Sequence, residues 1–443
     1  MKWLLCIVVV LSMFLNGCSS YYKTITYNEL PKNTDSLEIH EGILCQTARR
    51  IKYMSEGELK AVIDISEPVM VAIADQEEEW GFFQFPNIGK AEDGTLVVSW
   101  QMKADSPKEY GKTSNRKYIP MMSKDDGKTW SPRDRKYDLK RNANYVRLRD
   151  NSVMSSSTSI PKEIDSYKEK PNAVAKKKRY DYYVVDELPE DLQGAYITYN
   201  DESGTELIHA KLYDPGLLRW SYDGLMSVVW KGHFKQLSDE SIVAGVYPTY
   251  YLDSKGDVSP GGVSFYQSFD KGRSWEVIGK IPFVEDGFSN RRGDKSFDEP
   301  CFEILADSSF LCVMRSGSTS PLYRTFSFDR GHTWTKPEPF TPNGVKPCLM
   351  TLENGVVVLS SGRPGVQVRF NLDGKGYSWT DPIEMIPFME MGWSSNRDIS
   401  CGYTSMIGAD GNSFYLVYSN FTTKDRSGNT RKSIWCRKLT VNK

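Results

Sequence analysis

Short apolar runs that alternate with polar turns recur along most of the chain, and their length predicts β-strands. In residues 297–334 (FDEPCFEILADSSFLCVMRSGSTSPLYRTFSFDRGHTW), the apolar runs CFEIL and FLCVMR flank the turn ADSS. The run SPLYRTFSF follows as a third strand, and the turn SFDRGHTW leads into a fourth. Runs this short fit strands better than helices, which need longer periodic stretches. This stretch therefore predicts one antiparallel, four-stranded unit.

Hairpins of the form apolar strand, Asp or Asn turn, apolar strand occur six times along the chain. They centre on Asp93/Gly94, Asp150/Asn151, Asp239/Glu240, Asp307/Ser308, Asn354/Gly355 and Asp410/Gly411. Repeated units at such intervals are typical of propellers. We therefore expect an all-β fold, a six-bladed β-propeller built from four-stranded antiparallel blades. Polar, Lys-rich sequence near residues 159–212 predicts an elaborated blade rather than a separate domain.

A second repeat combines Ser, Asp, Gly and Trp at fixed spacing in a turn. Residues 123–130, 268–275 and 327–334 read SKDDGKTW, SFDKGRSW and SFDRGHTW, and residues 371–379 (NLDGKGYSW) form a divergent copy. Here Asp accepts hydrogen bonds from backbone N–H groups, Gly permits a positive φ, and Trp packs between sheets. The pattern resembles the Asp-box (BNR) repeat of the sialidase superfamily. Because the box is structural in that family, the resemblance gives none of these residues a catalytic role.

The N-terminus carries the features of an exported lipoprotein. The apolar segment at residues 3–15 is too short for a spanning helix and is typical of a signal peptide. Residues 15–18 (LNGC) resemble a bacterial lipobox, which implies lipidation of Cys18. The predicted organisation is a signal peptide at 1–17, a polar tether at 18–38 and the propeller domain at 39–443. We therefore expect a cell-envelope protein that a lipid anchors at the periplasmic face or the cell surface.

Composition argues against several classes of partner and site. The 56 basic residues nearly balance the 57 acidic ones, so no nucleic-acid partner is expected. No CxxC or Cys/His spacing suggests a metal, and no cofactor is expected. Cysteines after Cys18 lie in apolar strand patterns, which predicts buried free thiols. The protein is expected to be a monomer.

Propeller geometry predicts where function lies without reference to any family. The first two strands of a blade form its innermost hairpin, so the residues that flank this hairpin meet at the end of the ring opposite its turn. These flanking positions include Gln84, Tyr145, His233, Glu299, Lys346, Tyr403, Asp105, Tyr247, Tyr250, Arg315, Arg363 and Asn420. Two arginines and a glutamate at one pocket predict an anionic ligand.

The resemblance to sialidases extends to this ring and covers nearly all of the chain after the leader. Sialidases hold the substrate carboxylate with three arginines and attack with a tyrosine that a glutamate activates. By position, Arg315 and Arg363 match two of those arginines, Glu299 matches the glutamate and Tyr403 matches the nucleophile. Asp105 stands where the family's acid/base does, with Glu109 as the alternative. The resemblance implies a retaining exo-α-sialidase that removes a terminal acidic sugar from glycans.

One position departs from the family pattern. The family's first arginine lies in a Phe-Arg-Ile-Pro motif, where this chain has FQFP at residues 83–86, so Gln84 replaces it in the substrate-binding set. Losing a charge-assisted hydrogen bond of about 1.5–3 kcal/mol predicts a roughly tenfold to hundredfold weaker hold on a carboxylate. Three explanations stay open: a different acidic sugar, a pocket that only binds, or another cation such as Arg49, Arg50, Lys346 or Arg397.

Two other functions remain open on the sequence alone. His233 is one of four histidines, and propeller enzymes that attack rhamnosyl-glucuronate linkages are similar in outline and use a histidine. That similarity suggests a hydrolase or lyase acting on uronic-acid-containing polysaccharide, although a hydrogen-bonded strand histidine is the commoner situation. The other alternative is a non-catalytic glycan-binding lipoprotein.

Overall fold

The computed structural model describes residues 25–28, 48–55, 57–106, 118–137, 145–157, 160–286, 296–317, 320–363, 365–387 and 397–443. Within these ranges the regular secondary structure is almost entirely β-strand. The strands are joined by turns and by short 3-10 segments such as Arg135–Tyr137, Ile164–Ser166, Val185–Glu187 and Glu190–Leu192. No helix in this part of the chain is long and apolar enough to cross a membrane. The all-β prediction is therefore confirmed.

The described residues contain 32 strands. In chain order, the first twelve are β1 Ile25–Asn28, β2 Arg49–Ser55, β3 Glu58–Ile65, β4 Val69–Ile73, β5 Gln84–Lys90, β6 Leu96–Gln101, β7 Met121–Ser123, β8 Ser131–Pro132, β9 Tyr145–Arg147, β10 Val153–Ser156, β11 Lys162–Glu163 and β12 Ala175–Lys177. The next ten are β13 Tyr180–Val184, β14 Ala195–Asp201, β15 Gly204–Tyr213, β16 Leu218–Tyr222, β17 Leu225–Met226, β18 Lys231–Gln236, β19 Ile242–Thr249, β20 Gly262–Ser268, β21 Ser274–Ile281 and β22 Asp298–Ile304. The last ten are β23 Phe310–Arg315, β24 Leu322–Ser327, β25 Glu338–Pro339, β26 Val345–Thr351, β27 Val357–Gly362, β28 Val366–Asn371, β29 Ile383–Ile386, β30 Thr404–Gly408, β31 Ser413–Lys424 and β32 Thr430–Asn442.

Each of the six predicted hairpins is present as an antiparallel strand pair. The pairs are β5–β6, β9–β10, β18–β19, β22–β23, β26–β27 and β30–β31. Two of their turns illustrate how they close as Asx turns: Asp93 Oδ1 accepts from the backbone N–H of Thr95 at 3.0 Å, and Asp307 Oδ1 accepts from that of Ser309 at 3.0 Å. A local side-chain bond of this kind explains why the turns could be read from sequence.

The hairpins are extended into four-stranded antiparallel groups. Three groups are separate sheets, β5–β8, β22–β25 and β26–β29. An eight-stranded sheet contains two more, β9-β10-β14-β15 and β18–β21, which join through the parallel pair β15–β21. The last group, β30, β31, β32 and β4, lies in a seven-stranded sheet in which β3, β2 and β1 continue from β32. Two strands from the N-terminal part, β3 and β4, therefore pair with the final strand. The two ends of the sheet series are thereby held together.

The structure has extra strands within and just after the elaboration that was predicted near residues 159–212. A small five-stranded sheet has the order β11-β17-β16-β13-β12, so the elaboration continues through β17. Strands β14 and β15, by contrast, belong to the regular eight-stranded sheet. Most residues of β15 are exposed, which explains why its sequence is polar and does not show a strand pattern.

Apolar side chains fill the space between consecutive sheets. Phe265 of β20 contacts Phe302 of β22, with ring centres 5.3 Å apart, and both side chains are fully buried. Trp275 is also fully buried and packs edge-to-face on Trp230 at 4.9 Å. The cysteines of the described residues are free, and all but the half-buried Cys348 are buried, as predicted; Cys45 lies outside the described residues.

The Ser/Asp/Gly/Trp turn has the hydrogen bonds that its residue types imply. In the copy at residues 268–275, Asp270 accepts from the backbone N–H of Ser274 at 2.9 Å and from its hydroxyl at 2.6 Å. Ser268 Oγ accepts from the Gly272 N–H at 2.8 Å, and Trp275 Nε1 donates to the Gly272 carbonyl at 3.0 Å. The copy at residues 327–334 repeats these bonds. The turn therefore fixes a buried tryptophan between two sheets.

Replacing the turn carboxylate should destabilise the protein without touching the opposite end of the sheets. We expect Asp270→Ala to lower the free energy of unfolding by about 1–3 kcal/mol, because several hydrogen bonds that hold the Trp275 turn are lost together. Urea denaturation followed by tryptophan fluorescence measures this. The exposed Asp257→Ala is the control, and equal midpoints for the two variants would contradict the role given to the turn.

Candidate active site

Three of the predicted site residues meet in one hydrogen-bonded group. The Tyr403 hydroxyl donates to Glu299 Oε1. Arg315 Nη1 lies 3.2 Å from Glu299 Oε1 and 3.2 Å from the Tyr403 hydroxyl oxygen. The second carboxylate oxygen of Glu299 accepts from the backbone N–H of Lys346 at 2.8 Å. Two residues of one sheet, Glu299 of β22 and Arg315 of β23, thus contact the Tyr403 hydroxyl, and we call Tyr403, Glu299 and Arg315 the central triad.

A bulge at the start of β5, β22 and β26 brings these residues close together. Phe85, Glu299 and Lys346 each precede a proline and have φ of 51°, 50° and 44°, in the left-handed region. The pairing register shifts at the same place in β5, β22 and β26. A non-glycine residue in this conformation costs about 1–3 kcal/mol, and such strain concentrates at functional sites. The residue-Pro dipeptide was the sequence signal for this feature.

Arg315 is held by the carboxylates around it. Burial alone would lower the pKa of its guanidinium, but the charges of Glu299 and Asp298 outweigh burial and raise that pKa. Arg315 Nε also donates to the Gly317 carbonyl at 2.9 Å. The guanidinium is therefore fixed in place and stays charged.

Arg363 places a second guanidinium group beside the triad. Its Cζ atom lies 5.8 Å from the ring centre of Tyr403, and its Nη2 donates to the Cys401 carbonyl at 2.8 Å. Burial, and then the charge of Arg315, lower the pKa of Arg363 to about 10, so it remains cationic at neutral pH. Gly402 makes this approach possible, because a Cβ atom there would lie 2.6 Å from the Arg363 backbone nitrogen.

Asp105 is hydrogen-bonded to Trp80, a residue of this region that no sequence pattern identified. Trp80 Nε1 donates to Asp105 Oδ2 at 3.2 Å, and the Asp105 N–H donates to the Trp80 carbonyl at 3.3 Å. The Cζ atoms of Arg363 and Arg397 lie 5.9 Å and 3.7 Å from the centre of the Trp80 ring. Trp80 thus connects Asp105 with two arginines. No local sequence pattern marks it, because all three partners are distant in the chain.

Gln84 lies next to the triad but is sealed from solvent. Its side chain is fully buried, and neither amide atom has a hydrogen-bond partner among the described residues. It pairs in register with Gln101 on the neighbouring strand. The residue after it, Phe85, packs on Tyr403 with ring centres 4.7 Å apart. Gln84 is therefore adjacent in sequence to a residue that packs on Tyr403, and its amide carries no positive charge.

His233 stands in a different set of contacts from the triad. It lies in β18, where Nδ1 accepts from the backbone N–H of Phe302 at 3.5 Å and the two rings meet edge-to-face at 5.3 Å. Burial first, then Lys235 and Lys346, lower the pKa of His233 well below its ordinary value, so the ring is neutral. These contacts join two neighbouring sheets.

The remaining candidates separate into two groups. Cys18 and Glu109 lie outside the described residues. Arg49 donates to the Glu384 carbonyl at 2.8 Å, and Arg50 pairs with Asp64 at 2.6 Å, so both side chains are engaged elsewhere. Across the residues that the structure describes, no group of three or more His, Cys, Asp or Glu side chains is arranged to hold a metal ion.

This arrangement can activate a tyrosine and bind an anion. A carboxylate that accepts the hydroxyl hydrogen bond can also accept the proton, which is how a neutral hydroxyl becomes a nucleophile. Arg315 can stabilise the negative charge that develops on the oxygen. Guanidinium groups beside Tyr403 suit a carboxylate on the bound molecule.

Comparison with known proteins gives information on the fold alone. No protein-family model matches the chain, and no curated protein matches it. Among solved structures, a protein of unknown function from Dyadobacter fermentans is 17% identical, with a TM-score of 0.53 over 86% of this chain and 99% of that one. The Hadza microbial sialidase Hz136 is 13% identical, with a TM-score of 0.49 over 90% and 74% of the two chains. The α-L-arabinofuranosidase Arb93A from Fusarium graminearum is 13% identical, with a TM-score of 0.45 over 80% and 92%.

At such low identity a structural likeness speaks only to the fold, and the first of these matches supports a shared one. The series of four-stranded antiparallel sheets makes this chain an all-β protein with a propeller-like order of strands. Its function must be argued from its own site, because one fold of this kind hosts many activities.

Asp298 adds a second carboxyl group directly beside Glu299. Ser296 Oγ donates to Asp298 Oδ2 at 3.0 Å. Burial first, then the charge of Glu299, raise the pKa of Asp298 to about 6, against the opposing effect of Arg315. The group therefore takes up a proton more readily in the folded state than in the unfolded one, whose pKa is about 4.

This shift predicts a particular pH dependence of stability. Between about pH 4 and about pH 6 the folded protein holds more protons at Asp298 than the unfolded chain, so its contribution to stability is lost as the pH rises. We expect Asp298→Asn, measured against wild type by urea denaturation, to gain on the order of 2 kcal/mol in relative stability from about pH 4 to about pH 7. Asp410→Asn, whose side chain is 89% exposed, is the control. A difference that stays constant with pH would contradict the assignment.

Proposed function

We propose that this protein is a retaining glycoside hydrolase that uses Tyr403 as its nucleophile and acts on a terminal acidic sugar, in the manner of an exo-α-sialidase. The observation that carries the proposal is the central triad, in which the Tyr403 hydroxyl contacts Glu299 and Arg315 together. Tyrosine nucleophiles are an exception to the usual pair of carboxylates in glycosidases. A neutral nucleophile suits an anionic sugar, because a carboxylate would be repelled by the substrate's own acid group.

The first step transfers the sugar to the enzyme. As the Tyr403 oxygen attacks the anomeric carbon, its proton passes to Glu299 and the bond to the leaving oxygen breaks. Asp105, protonated, donates its proton to that leaving oxygen. The sugar is then joined to the tyrosine oxygen by a covalent bond, with the configuration at the anomeric carbon inverted once.

The second step releases the sugar and restores the enzyme. The Asp105 carboxylate accepts a proton from a water molecule as its oxygen attacks the anomeric carbon. The bond to Tyr403 breaks, and the phenolate oxygen takes back the proton from Glu299. Two inversions give net retention of configuration. Throughout, Arg315 offers its Nη1 donor to the tyrosine oxygen, where negative charge develops.

The fold expected for this activity is a closed six-bladed ring. The six hairpins, their extension into four-stranded groups and the pairing of β4 with β32 support that arrangement. Propellers bring the ends of their innermost strands together at one end of the ring, which suits a site assembled from β22, β23 and the residue before β30.

We further propose that the protein is a lipoprotein of the cell envelope, anchored through Cys18. The support is the signal-peptide pattern and the lipobox-like residues 15–18. Such a location would expose the site to glycans outside the cytoplasm.

Removal of the tyrosine hydroxyl should abolish turnover. We expect Tyr403→Phe to lower kcat on a sialylated glycan by roughly a thousandfold or more, since the nucleophile itself is lost. Released sugar is measured by chromatography for wild type and variant. Tyr213→Phe is the matched control, because this side chain is 56% exposed and lies on β15, in a different sheet from the triad.

The same assay separates the alternatives. No release by wild type from any sialoside would overturn the sialidase assignment. Release from a uronic-acid-containing polysaccharide that His233→Ala abolishes would favour the second enzyme class. Binding on a glycan array without any product would favour a glycan-binding role.

Lipid attachment has its own test. We expect Cys18→Ala to lose incorporation of a labelled fatty acid and to leave the membrane fraction, because no other residue can accept the anchor at the predicted cleavage site. Cys6→Ala, which changes a cysteine within the predicted leader, is the control and should keep both. Labelling that persists in Cys18→Ala would contradict the proposal.

A further inference from the structure

Arginine side chains gather on one side of the central triad from three separate parts of the chain. Arg315 ends β23, Arg363 follows β27, and Arg397 lies ahead of β30. Arg315 touches Tyr403 directly, Arg363 lies against its ring, and Arg397 lies beyond Arg363 on the face of Trp80. The charges of Arg315 and Arg397 both act on Arg363. The three guanidinium groups therefore form one cationic surface.

The location of Arg397 bears on the missing cation at position 84. Gln84 is fully buried and uncharged, so it cannot supply the third positive contact. Of the four other cations considered from sequence, Arg49 and Arg50 are bonded to Glu384 and Asp64 on β29 and β3. Lys346 contacts Glu299 through its backbone N–H. Arg397 lies against the tryptophan that also borders Arg363.

Trp80 gives Arg397 a fixed support. A guanidinium 3.7 Å from the centre of an indole ring is in cation–π contact. The same indole donates its N–H to Asp105 at 3.2 Å. One side chain therefore contacts a cation through its face and the expected acid through its edge.

We propose that Arg397 supplies the third cationic contact to the acid group of the substrate, and that Trp80 positions both Arg397 and Asp105. This inference rests on the proposed function and deepens it. Arg397 is a specificity residue, which selects sugars that carry a carboxylate. Trp80 is a positioning residue, which couples recognition of the anion to placement of the proton donor.

Binding measurements test Arg397 without requiring turnover. Isothermal titration calorimetry compares N-acetylneuraminic acid with its methyl ester, which lacks the negative charge. We expect Arg397→Gln to weaken binding of the free acid roughly tenfold to hundredfold and to leave the ester little changed. Arg50→Gln, at an arginine paired with Asp64, is the matched control and should bind both as wild type does.

The results distinguish a failure of this proposal from a failure of the proposed function. If wild type binds the acid in an Arg397-dependent way but releases no sugar, the role of Arg397 stands and the hydrolase assignment fails. If wild type turns over and Arg397→Gln binds the acid as tightly as wild type, the role of Arg397 fails alone. Equal losses for acid and ester, or no binding of the acid by wild type, would also overturn it.

Two substrates with different leaving groups test the role of Trp80. Trp80→Phe keeps an aromatic face for Arg397 but removes the donor to Asp105. We expect its kcat/KM to fall roughly tenfold more on sialyllactose than on 4-nitrophenyl sialoside, because only the poor leaving group needs a placed acid. Affinity for N-acetylneuraminic acid should stay near that of wild type, whereas Trp80→Ala should weaken it. Equal losses on both substrates for Trp80→Phe would indicate a merely structural tryptophan and overturn the proposal.

Discussion

A tyrosine hydroxyl held between a carboxylate and a guanidinium is the interaction on which the site depends. Glu299 is 6% exposed, and a carboxylate buried to that extent needs hydrogen-bond partners. Arg315, the Tyr403 hydroxyl and the Lys346 N–H provide them. The left-handed backbone at Glu299 and Lys346 brings these groups together across two sheets, so local strain is the cost of the arrangement. The surrounding strands supply the rigidity that keeps the strained residues in place.

Features that arise from short-range chemistry could be predicted from sequence. Five of the six hairpins were visible because Asp or Asn at the turn bonds the backbone only two residues further on, as Asp307 does with Ser309. The same reason explains the Ser/Asp/Gly/Trp turn, whose bonds span at most four residues, as between Asp270 and Ser274. The repeat predicted that Tyr403, Glu299 and Arg315 would meet, since each of them flanks the first hairpin of a predicted four-stranded unit.

Features that depend on distant contacts could not be found in this way. Strand β15 was hidden by polar sequence, because its faces are largely exposed. Trp80 acquires its meaning from Asp105, Arg363 and Arg397, which no spacing rule connects with it. The burial of Gln84 is likewise a property of the packed sheets. His233 stands out in the sequence as one of four histidines and by its position beside a hairpin, whereas its partners in the structure are a backbone N–H and a phenyl ring of the next sheet.

The nucleophilic role of Tyr403 is the step from which the rest of the mechanism follows. A sialyl fluoride that carries a second fluorine beside the anomeric carbon forms the covalent intermediate quickly and hydrolyses slowly, so the intermediate can be trapped. Mass spectrometry of the digested protein should then show the added sugar on the peptide that contains Tyr403, and no adduct in Tyr403→Phe. An adduct on another residue, or none in a wild-type protein that still turns over sialosides, would contradict a tyrosine nucleophile.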